Sequence, residues 1–151
     1  MPVLFDINPD LNILYYACFG VCTADDFFQA ENMAFQHELR QTEMRIIFDV
    51  RYSTEIDFVV KDIKRASDFL TQRKEQNLPL ETTAVLSYSI FAETFVNAFH
   101  LLTGENSLKI GLFKSIEETC GWLGLSGKEE QVREIRDRLW SEFESHSKPL
   151  I

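Results

Sequence analysis

The alternation of two hydrophobic spacings along this chain constrains its fold more than any single motif does. Val3 to Ile7 and Ile13 to Phe19 are β-prone runs separated by Asn8-Pro9-Asp10-Leu11-Asn12, turn formers that continue neither strand, so they read as a hairpin. Thereafter short apolar runs alternate with segments of helical spacing. Strands are expected at Met44 to Val50, Thr82 to Ser87 and Leu108 to Phe113, with helices over about 24–39, 55–76, 90–102 and 115–123 and a final helix beyond Ser126. The order β-β-α-β-α-β-α-β-α-α predicts an α/β fold. Its sheet would be mainly parallel with right-handed crossovers, an antiparallel N-terminal hairpin and an added C-terminal helix.

Local chemistry supports the helix boundaries. Thr23 stands three residues before Asp26, Ser115 before Glu118 and Ser126 before Glu129, three acceptor-plus-acid pairs of the kind that satisfy free backbone N–H groups at a helix start. In the first helix Phe27, Ala30, Ala34 and Met33 form the apolar stripe, leaving Asp26, Glu31 and Glu38 to solvent. In the second, Ile56, Val59, Val60, Ile63, Ala66 and Leu70 keep the spacing, as do Phe91, Phe95, Ala98 and Leu102 in the third. The final helix places Val132, Ile135, Leu139 and Phe143 on one side with Trp140 nearby, a face that packs on its own sheet or on a second subunit in a homodimer.

A chain of 151 residues, 45% hydrophobic, can bury the core of one compact domain but hardly of two, and no linker or repeat interrupts it. One domain is expected over 1–151, with a core over 3–124 and the added helix over 125–145. Thirteen Phe against two Trp and four Tyr point to a filled core, or to a groove for an apolar ligand. The net charge of −9, with no cluster of Lys and Arg, argues against nucleic acid and anionic membrane surfaces. No secretory h-region and no apolar run approaching the roughly 20 residues of a spanning helix occur, so a cytoplasmic protein is expected.

Chemical motifs are sparse. The three cysteines, Cys18, Cys22 and Cys120, match neither a disulfide framework nor a zinc site and read as inert small hydrophobes. His37, His100 and His146 form no metal-ligand pairing, and the six glycines form no phosphate loop, so neither a metal nor another cofactor is implied. A Ser-His-Asp set can be drawn from Ser87 or Ser89, His100 and Asp49, but without a nucleophile elbow it ranks third as a reading.

The candidate binding residues are those at the exits of the middle strands: Asp49, Arg51, Ser53, Thr54, Ser87 and Ser89. Asp49 ends an apolar strand. Arg51-Tyr52-Ser53-Thr54 reads as a polar turn before a helix, with Ser53 and Thr54 as N-caps or phosphate acceptors, and in open α/β sheets ligands gather where strands end. Asp49 lacks a second close acid unless Asp57 folds back to it.

Gly20-Val21-Cys22-Thr23-Ala24-Asp25-Asp26-Phe27, Ile46-Ile47-Phe48-Asp49 and Phe113-Lys114-Ser115-Ile116-Glu117-Glu118 before Trp122-Leu123, together with the opening hairpin, resemble the STAS fold in its SpoIIAA-like branch of small bacterial proteins. The resemblance implies a non-enzymatic regulatory or binding module docking a protein partner or small ligand. Antagonists of this family present a phosphorylatable Ser in an Asp-Ser-Ser-Gly-like run after the central strand, whereas this chain reads Ile56-Asp57-Phe58-Val59-Val60 there. Switching by phosphate at that position is therefore not implied. The second reading is an apolar-ligand or lipid carrier, from the Phe content and a similar strand-helix order in Sec14-type lipid-exchange domains.

Overall fold

The computed structural model describes residues 2–41, 43–57, 61, 62, 64, 65, 68, 82–89, 93, 97 and 109–147. Five strands form one sheet in the order β1-β2-β3-β4-β5: β1 (Val3–Asn8), β2 (Ile13–Thr23), β3 (Arg45–Asp57), β4 (Thr83–Leu86) and β5 (Ile110–Phe113). β1 runs antiparallel to β2, and each later neighbour is parallel to the one before. The helices α1 (Ala24–Phe35), α2 (Ile116–Leu123) and α3 (Glu129–Ser147) complete the described elements. Residues 61, 62, 64, 65 and 68 are helical, as are Glu93 and Asn97, in keeping with crossovers before and after β4. The rest of those two expected helices, including Ile63, Ala66, Leu70, Phe91, Phe95 and His100, lies outside the described residues.

β2 is buried on both faces because helices cover both, and its residues sort by parity. Ile13, Tyr15, Ala17 and Phe19 face Ile116, Cys120, Leu123, Val132, Ile135 and Leu139 of α2 and α3. Leu14, Tyr16, Cys18 and Cys22 face Ala30 and Ala34 of α1 together with Met44, Ile46 and Val50. The apolar stripe of α3 thus packs on its own sheet, and Arg138 adds an ion pair to Asp6 on β1 at 2.8 Å.

Two of the three expected helix starts form. Thr23 and Asp26 make a reciprocal capping box, and Ser115 accepts from the Glu118 N–H at 3.2 Å. Gly124 ends α2 in the left-handed conformation at φ 74°, which frees its N–H to bond the last turn. The Ser126–Glu129 box does not start α3: Ser126 lies in a turn beside Gly127 (φ 88°), and the helix begins at Glu129 itself. α1 is also shorter than its periodicity suggests. It stops at Phe35, and Met33 is exposed, whereas Glu31 takes the Tyr16 hydroxyl as a hydrogen-bond donor instead of facing only water.

The largest departure is in β3. Arg51 to Thr54 are not a turn before a helix but part of a strand that continues to Asp57, because β2 also runs on past Phe19 and supplies a partner. Phe19 pairs with Tyr52, Gly20 with Ser53, Val21 with Glu55 and Thr23 with Asp57, with register shifts between Ala17 and Phe19 and between Gly20 and Val21. Ser53 and Thr54 consequently cap no helix. Asp57 lies at the far end of the same extended strand as Asp49, so it does not fold back as a second acid.

Candidate functional site

Asp49 occupies a rung that pairs with Ala17 of β2 and Leu86 of β4, which turns its side chain toward the face covered by α3. It is fully buried. A carboxylate placed there must be neutralised and hydrogen-bonded, since an unpaired buried charge costs several kcal/mol. Arg51 and Tyr15 do this. The Arg51 backbone N–H and Nε donate to Oδ1 at 3.1 and 3.0 Å, while Arg51 Nη2 and the Tyr15 hydroxyl donate to Oδ2 at 2.9 and 2.5 Å.

Both partners are shifted by this arrangement. Burial, then the charge and hydrogen bond of Asp49, raise the Tyr15 hydroxyl well above its ordinary pKa. Burial works against the Arg51 charge, yet the hydrogen bonds and negative charge of Asp49 more than offset it and hold the guanidinium proton more tightly than usual. The Arg51 side chain is only 5% exposed. Asp49 therefore contributes position: it fixes a planar cation where β3 passes the end of β4.

Aromatic rings surround that cation. The Arg51 guanidinium carbon lies 5.3 Å from the Tyr52 ring centre and 5.9 Å from that of Tyr88, a residue 65% exposed between Ser87 and Ser89. Tyr52 continues into a cluster with Phe19, Trp140 and Phe143. Phe19 lies 4.8 Å from Phe143 and 5.3 Å from Trp140, and Tyr52 lies 5.6 Å from Trp140, whose ring remains partly exposed. Arg136 of α3 lies nearby; burial works against its charge, yet its hydrogen bond to Asp137 at 2.9 Å more than offsets this and raises its pKa.

The two strand exits singled out in the sequence are therefore brought together through Arg51 and Tyr88. Of the candidate residues, Asp49 and Ser87 are buried, Ser53 is half-buried and Thr54 and Ser89 are exposed. The Ser53 hydroxyl donates to the Val50 carbonyl at 2.6 Å, and Ser87 Oγ accepts from the Ser89 N–H at 3.0 Å. Tyr15, Tyr52, Tyr88 and Trp140 were not candidates on sequence grounds. Tyr15 and Tyr16 did carry a signal: adjacent tyrosines in an otherwise apolar run place one hydroxyl on each buried face, and each needs a partner. Asp49 serves one and Glu31 the other.

The cysteine expectation is corrected as well. Cys18 and Cys22 are joined as a disulfide with Cα atoms 6.5 Å apart, and Cys120 is the buried free thiol. A cavity of about 290 Å³ lies at the opposite ends of the parallel strands, lined by Arg45, Thr82, Lys109, Trp122 and Leu123. Among the described residues no group of three or more His, Cys, Asp or Glu is placed to hold a metal ion, and no helix is long and apolar enough to cross a membrane.

No protein-family model matches the chain, and no curated protein matches it. Among solved structures, the chain is similar to an uncharacterized protein of the DUF3478 family from Shewanella loihica PV-4, described as having a SpoIIAA-like fold. The two share 14% identity at a TM-score of 0.50, over 80% of this chain and 91% of that one. With the mixed five-stranded sheet and its helices, this gives the chain a STAS or SpoIIAA-like fold, as the sequence pattern implies.

Proposed function

We propose that this chain is a non-enzymatic regulatory or binding module of the SpoIIAA-like type, docking a protein partner where β3 passes the end of β4. The observation that carries this reading is the exposed Tyr88 ring, which faces the buried Arg51 guanidinium that Asp49 holds in place. An exposed ring backed by a fixed cation loses little freedom on binding, and Tyr is among the side chains that most often anchor interfaces. Thr54 and Ser89 supply exposed hydroxyls at the rim. The same reading places the protein in a bacterial cytoplasm, with self-association resting on surfaces other than the buried stripe of α3.

An apolar-ligand carrier is the second reading, and it requires an enclosed apolar cavity of a few hundred Å³. Among the described residues, the cavity lined by Arg45, Thr82, Lys109, Trp122 and Leu123 mixes cationic and apolar walls and does not supply one. An enzyme built on Asp49 ranks lower still, because both of its oxygens are already engaged by Tyr15 and Arg51. Native mass spectrometry of the protein purified from its own host separates the first two readings. A mass free of lipid is expected; a stoichiometric fatty acid or lipid adduct would overturn the docking module in favour of the carrier.

A further inference from the structure

We propose that Cys18 and Cys22 are a reversible dithiol–disulfide pair that sets the bend of β2 and, through Phe19, the packing of the aromatic surface around Trp140. The inference goes beyond the docking reading and stands whether or not a partner binds.

Four residues along a regular strand span roughly 13 Å, so two side chains at this spacing cannot normally meet. Here their Cα atoms are 6.5 Å apart. The strand bends sharply at Gly20, whose φ of 69° belongs to the left-handed region that glycine adopts freely, and the β2–β3 register slips on both sides of that point while the parallel pairing continues to Thr23. Both sulfurs belong to residues buried on the α1 face. Phe19, between them, points to the opposite face and touches Tyr52, Trp140 and Phe143.

A bridge closing so short a loop removes little freedom from the unfolded chain, and β2 is already tied to β1 and β3 on its two edges. Its effect is consequently local: it holds one bend. Pro2 lies beside Cys22, its carbonyl oxygen 3.8 Å from Cys22 Sγ and accepting from the Phe19 N–H at 2.8 Å. Opening of that single rung gives a small reagent access without unfolding the sheet.

The reaction is thiol–disulfide exchange with a small-molecule disulfide. The thiolate of one cysteine attacks the reagent's sulfur–sulfur bond and releases one small thiol. The second cysteine's thiolate then attacks the mixed disulfide and releases the other. Two electrons pass from the protein to the reagent, whose sulfurs take up the two protons the cysteines lose. A reduced small thiol reverses both steps.

The test uses the full chain with Trp122→Phe, leaving Trp140 as the sole indole, equilibrated in glutathione buffers from fully reduced to fully oxidised. Each sample is divided between acid quenching, alkylation and peptide mapping of Cys18 and Cys22, with Cys120 as reference thiol, and a Trp140 emission spectrum. The expected result is that Cys18 and Cys22 become protected together and that Trp140 emission moves at the same poise, reversibly. Cys18→Ala and Cys22→Ala, each a small apolar replacement, should abolish the emission change. The same alkylation series on the wild-type chain needs no substitution at all. Cysteines that stay alkylatable throughout, protection that a thiol cannot reverse in the folded chain, or reversible protection with unmoved Trp140 emission would each overturn the proposal.

Discussion

Replacing Arg51 with Met tests how much of this sheet depends on the buried ion pair. The substitution keeps an unbranched apolar stem and removes the Nε and Nη2 donors that hold both oxygens of Asp49. Asp49 is fully buried, so water cannot replace them. Its carboxylate would keep only the Tyr15 hydroxyl and the backbone N–H of residue 51. Stranding a buried charge in this way costs about 3–5 kcal/mol. For a chain of this size that corresponds to a fall in melting temperature of roughly 6–20 °C. Urea unfolding followed by far-ultraviolet circular dichroism measures it. The triple variant Tyr15→Phe, Asp49→Leu, Arg51→Met removes donor, acceptor and cation together and should regain most of the loss, because a buried pair exchanged for apolar groups of similar volume is often neutral. An Arg51→Met variant within about 1 kcal/mol of the wild type would refute the reasoning, since surface ion pairs have that worth and buried ones do not.

Alkaline stability should report on Tyr15. Its folded pKa lies well above the ordinary value of 10.0, so its contribution is complete below that pH and is lost above it, as the unfolded chain releases a proton that the folded chain retains. Relative to Tyr15→Phe, the wild type should lose up to about 1.4 kcal/mol of unfolding free energy per pH unit above pH ~10, read from urea titrations at a series of pH values. Two glycines should respond differently to Ala. At Gly20 a Cβ meets nothing within 4 Å, so only the positive φ is penalised and the cost should be about 1 kcal/mol. At Gly111 a Cβ would stand 2.6 Å from the Phe113 ring and 3.1 Å from Trp122, so the cost should reach about 1–3 kcal/mol with a change in Trp122 emission. Thermal melts of the two variants check the order.

Local chemistry made much of the fold legible in the sequence. Thr23 with Asp26 and Ser115 with Glu118 are contacts three residues apart, and the stripe Val132, Ile135 and Leu139 declares its buried face through spacing alone. β3 was harder. Arg51-Tyr52-Ser53-Thr54 is polar enough to resemble a turn, and its strand state depends on pairing with Phe19 and Gly20, more than 30 residues earlier in the chain. The same separation hides the site. Asp49 is conspicuous at the end of an apolar run, but its partner Tyr15 is set by sheet register, and Tyr88 meets Arg51 only because β3 and β4 pair. Cys18 and Cys22 are unreadable as a pair for a related reason: regular strand spacing keeps them apart until Gly20 bends the chain.

Site-specific photocrosslinking in host cells tests the docking account most directly. A photoreactive p-benzoylphenylalanine replaces Tyr88, and a control chain carries it at Glu43, an exposed residue just before β3. A discrete protein adduct is expected from position 88, absent from position 43 and lost when Arg51 is also replaced by Lys, which keeps the charge but not the two-pronged grip on Asp49. No adduct at position 88, or equal labelling at both positions, would contradict it.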